Sequence, residues 1–389
     1  MRKIIKAITL LAILASIAFF YAAGHIIDQQ MNVHLIKDHG SPDPKLKAFH
    51  NTLAIADWHA DNLLWDRNPL ARLDHGHIDV PRLIEGNVTL QVFDAVIKTP
   101  KGQNYQSNTG ATDNITALAI ANRWPIKAWF SLIERALYQS KKLHLAAANS
   151  NGNLVIIKSQ GDLKNLVEVK SKTDSAIVGG MLSIEGLHAL EGKLENLEVL
   201  YKKGYRMMGL VHFFDNEVGG SSAGANQGGL TPFGRQVIKR MDELGIIIDL
   251  AHASPTLISE VLELTSSPCV VSHTGVRGQF ETPRNLSDNH LSSIAKNGGM
   301  IGIGFWDGAV GNPNPSNIVK AMKYAVSISG INHICLGSDW DGGTKTYFDA
   351  ANLWVLTKAM REGGFSDDEI SKIMGGNQLR FLSEALPSS

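Results

Sequence analysis

Five residues of this 389-residue chain have the types and spacing to do chemistry together: His59, Asp61, Glu185, His252 and His273. The first two form a His-x-Asp in Asp57-Trp58-His59-Ala60-Asp61, at the end of an apolar run. Alternate residues of a strand share a face, so the imidazole and the carboxylate point the same way. Such a pair suits a divalent metal, although alone it is more often a surface feature. Glu185 closes Ser183-Ile184-Glu185-Gly186. A carboxylate straight after an apolar run is costly when buried without a cation or metal. His252 ends Ile248-Asp249-Leu250-Ala251-His252, and His273 ends Val271-Ser272-His273. The count fits two ions, one held by His59 and Asp61, the other by His252 and His273, with Glu185 bridging. Two ions roughly 3.5–4 Å apart share a water and lower its pKa toward neutrality. A set with no thiolate suits Zn²⁺, with Mn²⁺ or Co²⁺ as substitutes.

These residues converge only if one architecture brings their strands together. Eight short apolar runs read as strands: Leu53–Ala56, Val88–Phe93, Ala176–Ile184, Met207–Val211, Ile246–Leu250, Cys269–Ser272, Met300–Phe305 and Ile334–Leu336. Most are continuously apolar, as in strands covered on both faces. Amphipathic stretches such as Phe233–Leu244 and Pro255–Leu264 lie between them. Strands alternating with helices predict a parallel sheet, and eight of them predict an α/β protein of the (β/α)₈ TIM-like barrel type. Barrel active sites sit at the C-terminal ends of the strands, where all five residues fall. The stretch 99–174, with a Gly/Asn/Ser/Thr-rich loop and then helical sequence, is expected to extend over one end of the barrel.

Composition excludes several classes. Hydrophobic residues are 44% and charged residues 19%, enough for a packed core. Lys+Arg 37 balance Asp+Glu 37, which argues against a nucleic-acid partner bound through bulk charge. Two cysteines, Cys269 and Cys335, build no zinc ribbon or disulfide framework and read as buried thiols. At the N-terminus, Arg2, Lys3 and Lys6 precede an apolar run from Ala7 to about Ala23, the pattern of a signal anchor or signal peptide. Tyr21-Ala22-Ala23 is a poor cleavage site and Ser16-to-Ala18 another option, so an uncleaved anchor is favoured. The expected organisation is a membrane segment at 1–23, a stem at 24–47 and a catalytic domain at 48–389. The positive flank would keep the N-terminus cytoplasmic and export the domain to the periplasmic or extracellular side. Cleavage would make it secreted. Truncation to about Gln30 is expected to spare activity, because no ligand or core strand is lost.

Taken together the motifs resemble the membrane dipeptidase (renal dipeptidase) family of zinc metallopeptidases. The resemblance runs from about Asp57 to Leu382. Besides the segments above it is carried by Gly209-Leu210-Val211-His212, Gly229-Leu230-Thr231-Pro232-Phe233-Gly234, Arg284-Asn285-Leu286-Ser287-Asp288, Gly337-Ser338-Asp339-Trp340-Asp341-Gly342 and Gly376-Asn377-Gln378-Leu379-Arg380-Phe381. It implies a (β/α)₈ barrel of the metal-dependent hydrolase type with two zinc ions on the ligands already named. It further implies that His212 contacts the scissile carbonyl or its oxyanion and Arg284 the substrate's C-terminal carboxylate. Asp339 would contact the free amino end and pass a proton to the leaving amine, with Asp341 the second candidate. Trp58, Ala60 and the segment Phe213–Gly220 depart from the family pattern, which bears on substrate preference rather than reaction type.

The expected function is hydrolysis of dipeptides by a hydroxide held between two zinc ions, with a dipeptide as substrate and a homodimer as a further expectation. Two alternatives stand beside it. One is a related dinuclear amidohydrolase acting on N-acyl amino acids or lactones, which would need no free amino end. The other is a non-catalytic anchored binding protein. For Arg284, the bland alternative is a surface pair with Asp288.

Overall fold

The computed structural model describes residues 2–172 and 176–388; residues 173 and 174 of the expected 99–174 extension fall outside it. The strands are β1 (Val33–His34), β2 (Ile55–Ala60), β3 (Val88–Val96), β4 (Leu154–Ile156), β5 (Val178–Glu185), β6 (Tyr205–Gly209), β7 (Ile247–Asp249), β8 (Val270–Thr274), β9 (Met300–Ile303), β10 (Ile334–Leu336) and β11 (Lys345–Thr346). Eight of them, β2, β3 and β5 through β10, pair in parallel and close on themselves, because β2 pairs both β3 and β10, and β3 also pairs β5. All eight expected strands are present as this closed (β/α)₈ barrel.

The boundaries differ where polar chemistry interrupts the apolar pattern. β2 runs on through Asp57, Trp58 and His59, and β3 through Asp94 to Val96. Both strands are buried along their whole length. Backbone pairing continues there although the apolar run has ended. β4 was not expected and pairs with the start of β5.

The βα units are punctuated by side-chain caps. Thr231 accepts the Gly234 amide at the start of helix Pro232–Leu244, which ends at Gly245 in left-handed backbone (φ 65°). Ser254 accepts the Leu257 amide and starts helix Pro255–Leu264 two residues after His252. Each cap satisfies a donor that a helix start leaves orphaned. Outside the barrel, strand residues such as Ile184, Ile301 and Leu336 pack with the surrounding helices. Inside, Trp58, Val92, Met181, Met207, Met300 and Cys335 form a separate cluster with Phe381 and Leu382 of helix Asn377–Ala385. Cys269 and Cys335 are buried free thiols, as expected.

The N-terminal helix Arg2–Met31 is about 45 Å long at 1.5 Å per residue, and apolar residues from Ile4 to Leu14 are exposed along it. It is long and apolar enough to be a membrane anchor or a signal sequence. Residues 24–47, expected as a stem, continue this helix to Met31 and then lie along the barrel. β1 pairs in parallel with β11, and Asp43 caps helix Pro44–His50, whose Leu46 is buried.

Candidate metal centre

The barrel mouth collects all five expected ligands around Glu185, the last residue of β5. Glu185 Oε1 lies 2.9 Å from His252 Nε2, 3.4 Å from His273 Nε2 and 3.8 Å from His59 Nε2. Its Oε2 lies 2.9 Å from His212 Nε2. His59 Nε2 is 3.4 Å from Asp61 Oδ1 and 3.9 Å from Asp339 Oδ1, and the Nε2 atoms of His252 and His273 are 3.1 Å apart. Every one of these residues is buried.

Two buried carboxylates lock the strands that present them. Asp57 accepts from the Ser338 amide (2.8 Å), the Ser338 hydroxyl (2.7 Å) and the Gln91 amide nitrogen (2.7 Å). It therefore fixes β2, with His59, to the segment after β10 that carries Asp339. Asp249 accepts from the Ser272 amide (2.9 Å), the Ser272 hydroxyl (2.6 Å) and the Ala251 amide (3.0 Å). It fixes β7 to β8, and so His252 to His273. His252 and Asp339 themselves sit in left-handed backbone, with φ 62° and 58°. Such non-glycine outliers cluster where surrounding structure imposes them for function.

The donor chemistry fits divalent cations. Among the described residues, His59 Nε2, Asp61 Oδ1, His212 Nδ1 and His252 Nδ1 are buried without a hydrogen-bond partner, at a cost of about 1–3 kcal/mol for each group left so. Burial, with Arg284 adding for both and His59 for His273, holds the His252 and His273 imidazoles well below their usual value, in the neutral form that ligates metal. Burial also pushes Asp61 up, and Asp94 and Asp339 well above the usual carboxylate range, helped by the neighbouring carboxylates. Burial would raise Glu185 too, but His212 and His252 outweigh it and hold it well below. Crowded carboxylates and neutral imidazoles are the surroundings that bound dications would stabilise.

Asp94, on β3, belongs to the same group as His59, Asp61 and Glu185, and His212 to the group of Glu185 and His252. Asp94 was missed; its signal was a lone acid within the apolar strand after Gln91. Arg284 is 4% exposed and, among the described residues, makes no ion pair. Asp288 instead accepts from the Tyr324 hydroxyl, so the surface pair with Arg284 does not form. Arg284 Nη2 donates to the His273 carbonyl (2.7 Å), its Nε has no partner, and the guanidinium carbon lies 5.7 Å from the centre of the Trp306 ring. Asp341 is completely buried and ion-paired to Arg67 at 2.5 Å, facing away from the mouth. Asp339, not Asp341, lines the cavity.

That cavity measures about 690 Å³. Glu185, His212, His252, His273, Arg284 and Asp339 line its polar side. Leu64, Trp65, Val96, Ile115 and Leu118 line an apolar side, joined by Phe19, Ile27 and Met31 of the N-terminal helix. Ile115 and Leu118 belong to helix Asn114–Ala121 of the 99–174 extension, which therefore reaches over the mouth.

The sequence profile described as membrane dipeptidase (peptidase family M19) matches residues 44–387. An uncharacterized dipeptidase of Schizosaccharomyces pombe is 26% identical over 395 residues, covering 97% of this chain and 90% of its own. Dipeptidase tcpJ of Claviceps purpurea is 26% identical over 349 residues, covering 86% of this chain and 74% of its own. Among solved structures, a metallo peptidase from Rhodobacter sphaeroides liganded with a phosphinate mimic of the dipeptide L-Ala-D-Ala superposes with a TM-score of 0.70 at 22% identity, over 86% of this chain and 99% of that one. The probable dipeptidase PvdM from Pseudomonas aeruginosa gives 0.73 at 19% identity, over 89% and 98%.

Proposed function

The chain belongs to the membrane dipeptidase family, peptidase family M19, and from that membership we propose that it hydrolyses free dipeptides at a two-ion centre held by His59, Asp61, Glu185, His252 and His273. The observation that carries this is the convergence of three imidazoles on one carboxylate oxygen, Glu185 Oε1, at the mouth of the closed barrel. Zinc is the ion proposed, with manganese or cobalt as substitutes. Bound there, two dications supply Lewis acidity and a lowered water pKa.

The chain's own groups do the rest. Arg284 keeps its Nε free while Nη2 is fixed on the His273 carbonyl, so the guanidinium plane is set before substrate arrives. It takes the terminal carboxylate, for which a planar fork is better suited than lysine. Trp306 stacks beneath it and donates Nε1–H to the Tyr105 hydroxyl at 2.9 Å, which holds that wall in place. His212 donates an N–H toward the developing oxyanion, a contribution of roughly 10²–10³ in rate per donor. Asp339 receives the free amino end, takes up the proton released by the attacking water and passes it from its carboxyl oxygen to the departing nitrogen. The apolar walls, Trp65 and Leu118 among them, exclude water from the polar floor.

We further propose that the domain is exported and tethered by the helix Arg2–Met31, and place the catalytic domain at residues 48–389. The test of function is a dipeptide panel with matched N-acetylated and C-amidated controls. Turnover of free dipeptides alone supports the reading. Equal turnover of N-acetylated substrates favours an amidohydrolase for acylated amino acids, and no turnover with metal bound favours a binding protein.

A further inference from the structure

The loop that carries Asp339 is gripped from behind by residues 28–35. Asp339 and Asp341 both adopt left-handed backbone, φ 58° and 63°. Asp341 Oδ1 accepts the His77 amide at 2.7 Å, and its own amide meets His77 Nδ1 at 3.0 Å. Asp341 Oδ2 accepts from Arg67 Nη1 at 2.5 Å. Arg67 turns its other edge to Asp28, with Nε donating to Oδ2 at 2.6 Å and Nη2 donating to Oδ1. Asp28 is 2% exposed although its helix is mostly in the open. Burial pushes its carboxyl up, but Arg67 and His75 outweigh that and hold it at about 2.

A second route runs beside the first. Asn32 donates to Asp28 Oδ1 at 2.8 Å and accepts the Gly343 amide at 2.9 Å. The Val33 amide donates to the Thr344 carbonyl (3.2 Å) and the Leu35 amide to the Thr346 carbonyl (2.9 Å). Thr344 Oγ1 then donates to the Asp339 carbonyl at 2.8 Å. Asp339 is thus two contacts from residues 28–35 through Thr344, and two residues from the Asp28–Arg67–Asp341 chain. A left-handed aspartate is strained and stays only where its surroundings over-determine it. Residues 28–35 supply part of that constraint.

We propose that residues 28–35, with Asp28 at their centre, are a positioning element of the active site that sets the Asp339 loop. This rests on the role given to Asp339 above. On this proposal a chain lacking residues 2–23 keeps the element and its activity, whereas truncation to about Gln30 removes Asp28 and is expected to lower kcat.

The experiment compares full-length protein in detergent with its Asp28→Asn, Asp28→Glu and Asn32→Ala variants. It reads deuterium uptake by residues 339–346, metal content, and kcat and KM on one dipeptide. The expected result for Asp28→Asn is faster exchange confined to 339–346 and the segments packed on it, unchanged metal content, and a kcat lower by roughly 10- to 100-fold with KM little moved, the scale of a small misplacement of a reacting group. Asp28→Glu recovers part of kcat. Asn32→Ala gives a smaller change of the same kind and covers the case in which Asp28→Asn fails to fold. Unchanged exchange and kcat in both Asp28→Asn and Asn32→Ala overturn the proposal, as does faster exchange spread over the whole barrel. Exchange is read without substrate, so an inactive wild-type protein would contradict the dipeptidase reading while leaving the element itself testable.

Discussion

Asp339 and Asp341 stand two residues apart on one loop, both buried and both left-handed, yet they belong to opposite regions of the molecule. Asp339 faces the cavity, and burial beside Asp61 and Glu185 pushes its carboxyl well above the usual range. Asp341 faces inward. Burial pushes it up as well, but Arg67 and His77 prevail and hold it below the usual value. The same contrast separates the histidines. His252 keeps Nδ1 without a partner at the mouth. His50 has Thr357 Oγ1 on Nδ1 (2.9 Å) and the Gly86 carbonyl on Nε2 (3.2 Å). His50 is held by scaffold groups on both ring nitrogens, whereas His252 turns Nε2 to Glu185 and His273, into a cluster of metal-ligating groups.

Exchanging the two aspartates' charges in turn should break this comparison most visibly. Asp339→Asn should lower kcat by roughly 10²–10⁴, the usual worth of a proton-transferring group, with little change in melting temperature. Asp341→Asn should cost mainly stability, about 3–5 kcal/mol, because it leaves the Arg67 guanidinium short of a buried partner, with a smaller fall in kcat through the shared loop, on the scale expected of Asp28→Asn. Thermal melts and kinetics on both variants check the crossing. Equal stability losses would erase the distinction.

Arg284 sharpens it next. Arg284→Ala should reduce kcat/KM for free-carboxylate dipeptides by the equivalent of about 2–5 kcal/mol and barely touch dipeptide amides. A matched fall for acid and amide would make Arg284 scaffold.

The smallest effect is expected in the scaffold. Burial holds the His50 imidazole down at about 4, with the Gly86 carbonyl raising it only in part. The unfolded chain therefore binds this proton more readily than the folded one. His50's contribution is complete above about pH 6.5 and is lost as pH falls toward 4, up to about 3 kcal/mol. Denaturant melts across that window should show a shallower pH slope in His50→Gln. An unchanged slope would mean that His50 does not titrate on unfolding.

The sequence carried the barrel because its strands are continuous apolar runs, and it carried the expected ligands because each sits where such a run stops. Asp94 escaped although it directly follows the expected run Val88–Phe93, because Ala95 and Val96 continue the strand beyond it and disguise the strand's end. Asp57 and Asp249 stood in the motifs, but their task of tying neighbouring strands through Ser338 and Ser272 depends on contacts across 281 and 23 residues. Asp28 escaped for the same reason. Its partner Arg67 is 39 residues away, and nothing local distinguishes a buried aspartate at the end of an apolar helix from a solvated one.

On the proposed function, Glu185 joins two ions into one hydrolytic centre. Metal-free protein titrated with zinc, with bound ion and dipeptide turnover measured at each step, tests it most directly. Turnover should rise until two ions are bound per chain, and Glu185→Gln should fail both to retain the pair and to turn over. Full activity at one ion per chain, or a Glu185→Gln protein with two ions and near-normal turnover, would contradict it.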